Sequence, residues 1–196
     1  KGYLGLFGVD LIVLPDGTHK IIEINARQPA SIPMYTKMQL AAGQVPLSLI
    51  HLAEFLGADY RLDQEAYNLQ ALQPQNFSQI FVRADHELRV SAEVASGIYR
   101  LQGDNAAIDR PSAEVKPRTI FMDEERDQAL LYQGPGYSIE DLGAGGFLIL
   151  TPAVNRLIKT NDELGRIQLP ASAFTDQGEL KAWIVQALSA IKHYQS

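Results

Sequence analysis

The chain has 196 residues, 46% of them hydrophobic, with a formal net charge of −6 and no cysteine. Length and composition suit one or two compact globular domains and exclude a disordered chain. The charge excludes a general attraction to nucleic acid or anionic membranes, and the missing thiols exclude disulfides, thiolate catalysis and metal–sulfur centres.

No apolar run approaches the roughly 18 residues of a membrane helix, and no signal peptide is visible. A cytoplasmic protein without membrane or nucleic-acid partners is the expectation. The chain opens Lys1-Gly2-Tyr3 without Met and enters a strand-like run almost at once. It therefore reads as a piece of a longer protein.

Residues 7–14 are β-branched or large and apolar apart from Gly8 and Asp10, the pattern of a strand. Pro15-Asp16-Gly17-Thr18 follows, and Asp-Gly is a strong hairpin signal. Residues 19–25 form the second strand, and 26–33 are loop. Helices are expected over 34–42, stopped by Gly43, and over 46–56, opened by Pro46 and stopped by Gly57. Leu49, Ala53 and Leu56 fall at helical spacing. Residues 59–74 are polar and weakly patterned, and a domain boundary is placed near Pro74, giving domains 1–73 and 74–196.

Beyond it, strands are expected at 79–84, 88–94, 98–101, 118–122, 129–132, 147–151 and 166–169. Turn-rich stretches such as Gly134-Pro135-Gly136 and Gly143-Ala144-Gly145-Gly146 separate them, as in a small antiparallel β unit. A last helix over 178–193 presents Leu180, Ile184, Ala187, Leu188 and Ile191 on one face. Asp176 with Glu179 resembles its capping box. The fold class is α+β.

The chemistry gathers on the first hairpin. A two-residue Asp16-Gly17 turn would set Asp10 opposite Glu23, Val9 opposite Ile24 and Gly8 opposite Asn25. Gly8, Asp10, Ile12 and Leu14 would then share a face with His19, Ile21, Glu23 and Asn25. The opposite face, Phe7, Val9, Leu11, Val13, Ile22 and Ile24, should pack on the core. Two carboxylates with Cβ atoms roughly 4.5–5.5 Å apart repel. A divalent cation removes that cost, and magnesium favours one or two carboxylates plus substrate phosphates. Asn25 adds a neutral oxygen, Gly8 leaves room for a ligand, and a continuing strand would bring Arg27 to the same face. The bland alternative is a solvated acidic face on an edge hairpin.

At these residues the chain resembles the ATP-grasp superfamily, whose last strands carry an acidic residue and then Glu-x-Asn, often Glu-x-Asn-x-Arg. Here they are Asp10 and Glu23-Ile24-Asn25-Ala26-Arg27. The lead-in Leu6-Phe7-Gly8-Val9-Asp10 is similar, as is the order after it: a loop, a helix ending Ala42-Gly43, a second helix ending at Gly57. Biotin carboxylases, carbamoyl phosphate synthetases and peptide-type ligases share that order. The resemblance covers residues 1–57.

The resemblance implies ATP and magnesium as cofactors, with manganese as a substitute. It implies that Asp10 binds one magnesium, that Glu23 bridges two, and that Asn25 completes the second site. Arg27 would hold the acyl phosphate or a substrate carboxylate as the catalytic residue. The implied reaction phosphorylates a small carboxylic acid or amino acid with ATP and joins it to an amine, releasing ADP and phosphate. Only residues 1–9 precede Asp10, so the family's lysine-bearing, adenine-binding N-terminal half would lie elsewhere, and this piece alone is expected to be inactive. The rivals are a carboxyphosphate- or carbamoyl-phosphate-forming enzyme and a non-catalytic binding or dimerisation module. Residues 74–196 more distantly resemble the accessory segment of some carboxylate–amine ligases, where it completes a lid or supports a homodimer.

Ser31 and Tyr35 are open between acceptor contact and a plain loop and helix cap. Lys37 and His19 read as surface groups, His51 as a packed histidine, and Asp85-His86-Glu87 and residues 161–165 as turns. Trp183 would pack in the last helix or edge an interface.

Overall fold

A computed structural model describes residues 2–73, 76–90, 94–102, 118–123, 128–142 and 145–193. The architecture is α+β and divides into two compact units, 1–75 and 76–196. Pro74, the expected boundary residue, lies outside the described residues.

The first unit opens with the hairpin β1 (Gly8–Val13) and β2 (His19–Asn25). Helices α1 (Ile32–Ala41), α2 (Leu47–Leu56) and α3 (Gln64–Ala71) follow. A proline stands in the first turn of α1, and Gly57 closes α2 in the left-handed conformation, φ 60°. Helix α3 was not expected from its polar pattern. Asp63 caps it by accepting the Ala66 N–H at 2.9 Å. The rest of its support is tertiary. Buried Gln39 on α1 donates Nε2 to the Tyr67 hydroxyl on α3 at 2.6 Å. Its Oε1 accepts the Leu47 N–H, at the start of α2, at 3.0 Å. One amide thus ties three helices. Burial pushes the Tyr67 phenol above its ordinary pKa.

The expectation that one hairpin face packs on the core is overturned. Ile24 and Ile22 are about 60% exposed, like Val13, and Ile21 on the other face is 66% exposed. The two strands form a sheet of their own. A lone ribbon buries nothing without a layer against it. On α2, Leu49 and Leu56 are likewise exposed.

The second unit is a six-stranded antiparallel sheet. Its strands are β3 (Ser78–Arg83), β5 (Gly97–Gln102), β6 (Arg118–Asp123), β7 (Gln128–Gly134), β8 (Phe147–Leu150) and β10 (Glu163–Leu169), ordered β3-β10-β8-β5-β7-β6. Strands β4 (Leu88–Arg89) and β9 (Leu157–Ile158) form a small separate ladder. The strand expected over 88–94 is short: Val90 leaves it, and residues 91–93 lie outside the described residues. Residues 143–144 of the expected glycine-rich turn do so as well. Ser138 and Asp141 form a capping box on a single 3-10 turn, Ile139–Asp141.

Helix α4 (Ala182–His193) closes the core. Its Ile184, Ala187, Ala190 and Ile191 are buried with Ile149, Leu164, Ile167 and Leu169 of the sheet. The Phe147 ring lies 4.8 Å from that of Trp183, and Tyr99 packs edge-on to Tyr132 at 5.3 Å. The helix starts later than the sequence suggests. Residues 174–180 form a tight turn in which the Thr175 N–H donates to Glu179 O at 2.8 Å and Phe174 bridges to Leu180. The Glu179 N–H goes to the Thr175 hydroxyl at 3.3 Å, so Asp176 and Glu179 cap no helix. No described helix is long and apolar enough to cross a membrane.

Ile167 is fully buried at the centre of this core. Ile167→Ala should destabilise the second unit by about 2–5 kcal/mol. Urea unfolding followed by the fluorescence of Trp183, the chain's one tryptophan, reads that unit directly.

Candidate functional site

The hairpin reaches the expected pairing by an unexpected route. Its loop has three residues, Pro15, Asp16 and Gly17. The Gly17 N–H donates to Leu14 O at 2.9 Å, and the Leu14 N–H donates to Thr18 O at 2.8 Å. Pro15 fixes the φ that the first turn position needs, and Gly17 takes the left-handed one, φ 81°. A two-residue turn of the hairpin type would need positive φ at Asp16, which does not have it. Near the turn, therefore, Val13 faces His19, Ile12 faces Lys20 and Leu11 faces Ile21. The face assignments made for these residues from a two-residue turn do not hold.

A one-residue bulge then resets the ladder. Between Asp10 and Leu11 the register shifts and Ile22 is left over, so that Asp10 faces Glu23, Val9 faces Ile24 and Gly8 faces Asn25. Without the bulge, Asp10 would face Ile22. Asn25 Nδ2 donates to Asp10 Oδ2 at 3.3 Å, across the diagonal of the ladder. Asp10, Glu23 and Asn25 thus share one face.

Two details differ from expectation. The strand ends at Asn25, and the Arg27 N–H turns back onto Asn25 O at 2.7 Å. Arg27 leaves the ladder and stands exposed, its guanidinium without an ion pair among the described residues. The space at Gly8 is not open: a Cβ there would lie 3.2 Å from the Pro29 ring. The loop after β2 folds over that end of the hairpin.

The N-terminal approach is also fixed. The Leu6 N–H donates to His51 Nδ1 at 3.2 Å, and the His51 ring packs against Phe55. Gly5, at φ 116°, passes so close to His51 that any Cβ would collide with the imidazole. His51 is a packed, hydrogen-bonded histidine. Among the other residues singled out, Asp85 pairs with Lys192 at 2.8 Å, and Asn161 holds a left-handed turn, φ 68°.

The donor set suits one class of metal. Two carboxylates and an amide are hard oxygen ligands, and magnesium takes one or two carboxylates while phosphates and water fill its other positions. A closed protein cage is a poor fit: among the described residues no three His, Cys, Asp or Glu side chains gather. Both carboxylates are exposed. Asp10, Glu23 and Asn25 therefore fit a magnesium ion that arrives with a phosphate ligand.

Exposure also bounds the repulsion between the acids, which neutralising one should relieve. Glu23→Gln should raise amide protection along β1 and β2 by about 0.2–1 kcal/mol at low salt, with the gain shrinking as salt screens the pair. Hydrogen exchange without divalent cations measures it.

The turn supplies a pH test. The Thr18 N–H donates to Asp16 Oδ1 at 2.9 Å and holds that carboxyl below the ordinary aspartate range. A depressed folded pKa adds support that is present above the unfolded pKa and is lost as pH falls through the folded one. The Thr18 amide resonance should therefore titrate with a midpoint below the ordinary aspartate value.

Compared with protein-family models, curated proteins and solved structures, the chain has no match.

Proposed function

We propose that this chain carries the magnesium-binding end of an ATP-grasp ligase, which activates a small carboxylic acid or amino acid as its acyl phosphate and joins it to an amine. The observation that carries this reading is the bulged ladder that puts Asp10 opposite Glu23 with Asn25 bonded to Asp10. Asp10, Glu23 and Asn25 would hold magnesium, which supplies charge neutralisation on the ATP phosphates. In this reading Glu23, across the ladder from Asp10, would bridge two ions. Arg27 has an uncommitted guanidinium on the turn just beyond, and its fork suits an acyl phosphate or a carboxylate.

The exposed apolar hairpin supports the same reading. Isoleucines exposed on both faces of a two-stranded ribbon call for cover, and the nucleotide-clasping N-terminal half of an ATP-grasp domain is the proposed cover. A second reading, a non-catalytic module with solvated surface acids, is favoured by one observation, the exposure of both carboxylates.

The test is ADP release with magnesium across a panel of acid–amine pairs, by the polypeptide carrying both halves. One pair should stimulate release. Glu23→Ala and Asn25→Ala should each lower the stimulated rate on the order of 10²-fold or more, a loss of several kcal/mol of charge stabilisation, with little change in melting temperature. Undiminished release in both variants would overturn the metal assignment. ATP binding without release from any pair would overturn the ligase assignment, and failure to bind ATP would favour the non-catalytic module.

A further inference from the structure

The second unit contains a half-open cavity of about 510 Å³ lined by Leu150, Thr151, Pro152, Ile158 and four charged residues, Arg156, Asp162, Glu163 and Arg166. Its volume falls within the roughly 300–1,000 Å³ of small-molecule sites. Its charges sort into two pairs of different character.

Glu163 and Arg166 are committed to each other. Arg166 Nε and Nη2 donate to the two Glu163 oxygens at 2.6 and 2.8 Å, and the guanidinium lies 5.1 Å from the Phe81 ring centroid. This bidentate, stacked pair is a neutral, rigid wall.

Arg156 and Asp162 are not committed. The Arg156 guanidinium has no hydrogen bond or ion pair among the described residues, and the Asp162 carboxylate accepts only the Lys159 N–H, at 3.4 Å. They line one cavity with opposite charges and do not pair with each other. Their backbones, by contrast, are pinned. Each directly follows an asparagine in the left-handed conformation, Asn155 at φ 66° and Asn161 at φ 68°. The Val90 N–H donates to Arg156 O, and the Ala84 N–H donates to Asp162 O, both at 3.0 Å. Strand β9 lies between them, with Ile158 buried. Arg156, directly before β9, and Asp162, directly before β10, thus have held backbones and free charged side chains.

From this arrangement we infer that the cavity binds a small zwitterion, of amino-acid or dipeptide size, with its carboxylate on Arg156 and its ammonium on Asp162. The four lining charges sum to zero, which disfavours a phosphate dianion or a polyamine. Because the backbone is already held, the ordering cost is confined to the two free side chains. The inference stands on the second unit alone and is independent of the ligase reading.

The test uses the full chain and a series of increasing charge separation: glycine, β-alanine, 4-aminobutyrate and glycylglycine. Propionate, propylamine and inorganic phosphate serve as single-sign controls. Amide resonances over residues 150–166 are followed up to about 10 mM ligand. At least one zwitterion should bind saturably and at least tenfold more tightly than every control. Arg156→Gln and Asp162→Asn, both exposed side chains, should each weaken it at least tenfold while leaving the remaining spectrum unchanged. If no zwitterion binds, if phosphate or propionate binds as tightly, or if binding survives either substitution, the proposal fails.

Discussion

The candidate site depends on one surplus residue. Ile22 has no partner across the hairpin, and that extra step in β2 brings Glu23, rather than its neighbour, opposite Asp10. The three-residue loop and the one-residue bulge are each a departure from the simplest hairpin. Each moves the register by one, and their effects cancel at Asp10. Since the side-chain period is two, either departure alone would face an acid with an isoleucine or valine. Bulges commonly re-aim side chains beside functional sites. This one also brings Asn25 within reach of Asp10.

Magnitudes temper what the acid pair says about metal. Two unit charges about 4 Å apart cost about 1 kcal/mol in bulk water and several times that near a low-dielectric surface. Asp10 and Glu23 are exposed, so the smaller figure applies, and the Asn25 hydrogen bond offsets part of it. The hairpin can carry both charges without a cation. What favours magnesium is the alignment of three oxygen-bearing side chains on one face, which repulsion neither requires nor explains.

Much of this was legible from residue order. The stops at Gly43 and Gly57 and most long strands follow from local chemistry. The partner of Asp10 came out right through a wrong turn, because Pro15 ahead of Asp-Gly marks a three-residue loop and the compensating bulge has no local signature. Helix α3 was missed because its second support, the Gln39–Tyr67 hydrogen bond, joins residues far apart in sequence. The start of α4 was placed early because the side chain of Thr175, rather than Asp176, takes the Glu179 N–H. Pro29 over Gly8 and the turn at Arg27 depend on how a loop folds back, which composition does not encode. The pinned charges beside β9 were hidden in a segment that reads as an ordinary turn. Two asparagines each followed by a charged residue, Asn155-Arg156 and Asn161-Asp162, are the signal that the sequence offers.

The two units also solve the burial problem differently. The second covers its sheet with α4, and residues such as Ile149, Ile167 and Ile184 lose all contact with water. Among the described residues of the first unit, the buried apolar side chains of its helices are few, Ile32 and Met34 among them, and the amide of Gln39 does much of the joining. A hydrogen bond contributes about 0.5–1.5 kcal/mol net, whereas fully burying one large apolar side chain contributes about 1.5–3 kcal/mol. A ribbon that leaves Ile21, Ile22 and Ile24 in water forgoes several such terms, while Asp10 and Asn25 are held by the register and their one mutual hydrogen bond. That asymmetry separates where the chain is stable from where its proposed chemistry lies. The second unit is held by its packed core, and the hairpin presents the proposed metal-binding face between exposed apolar side chains.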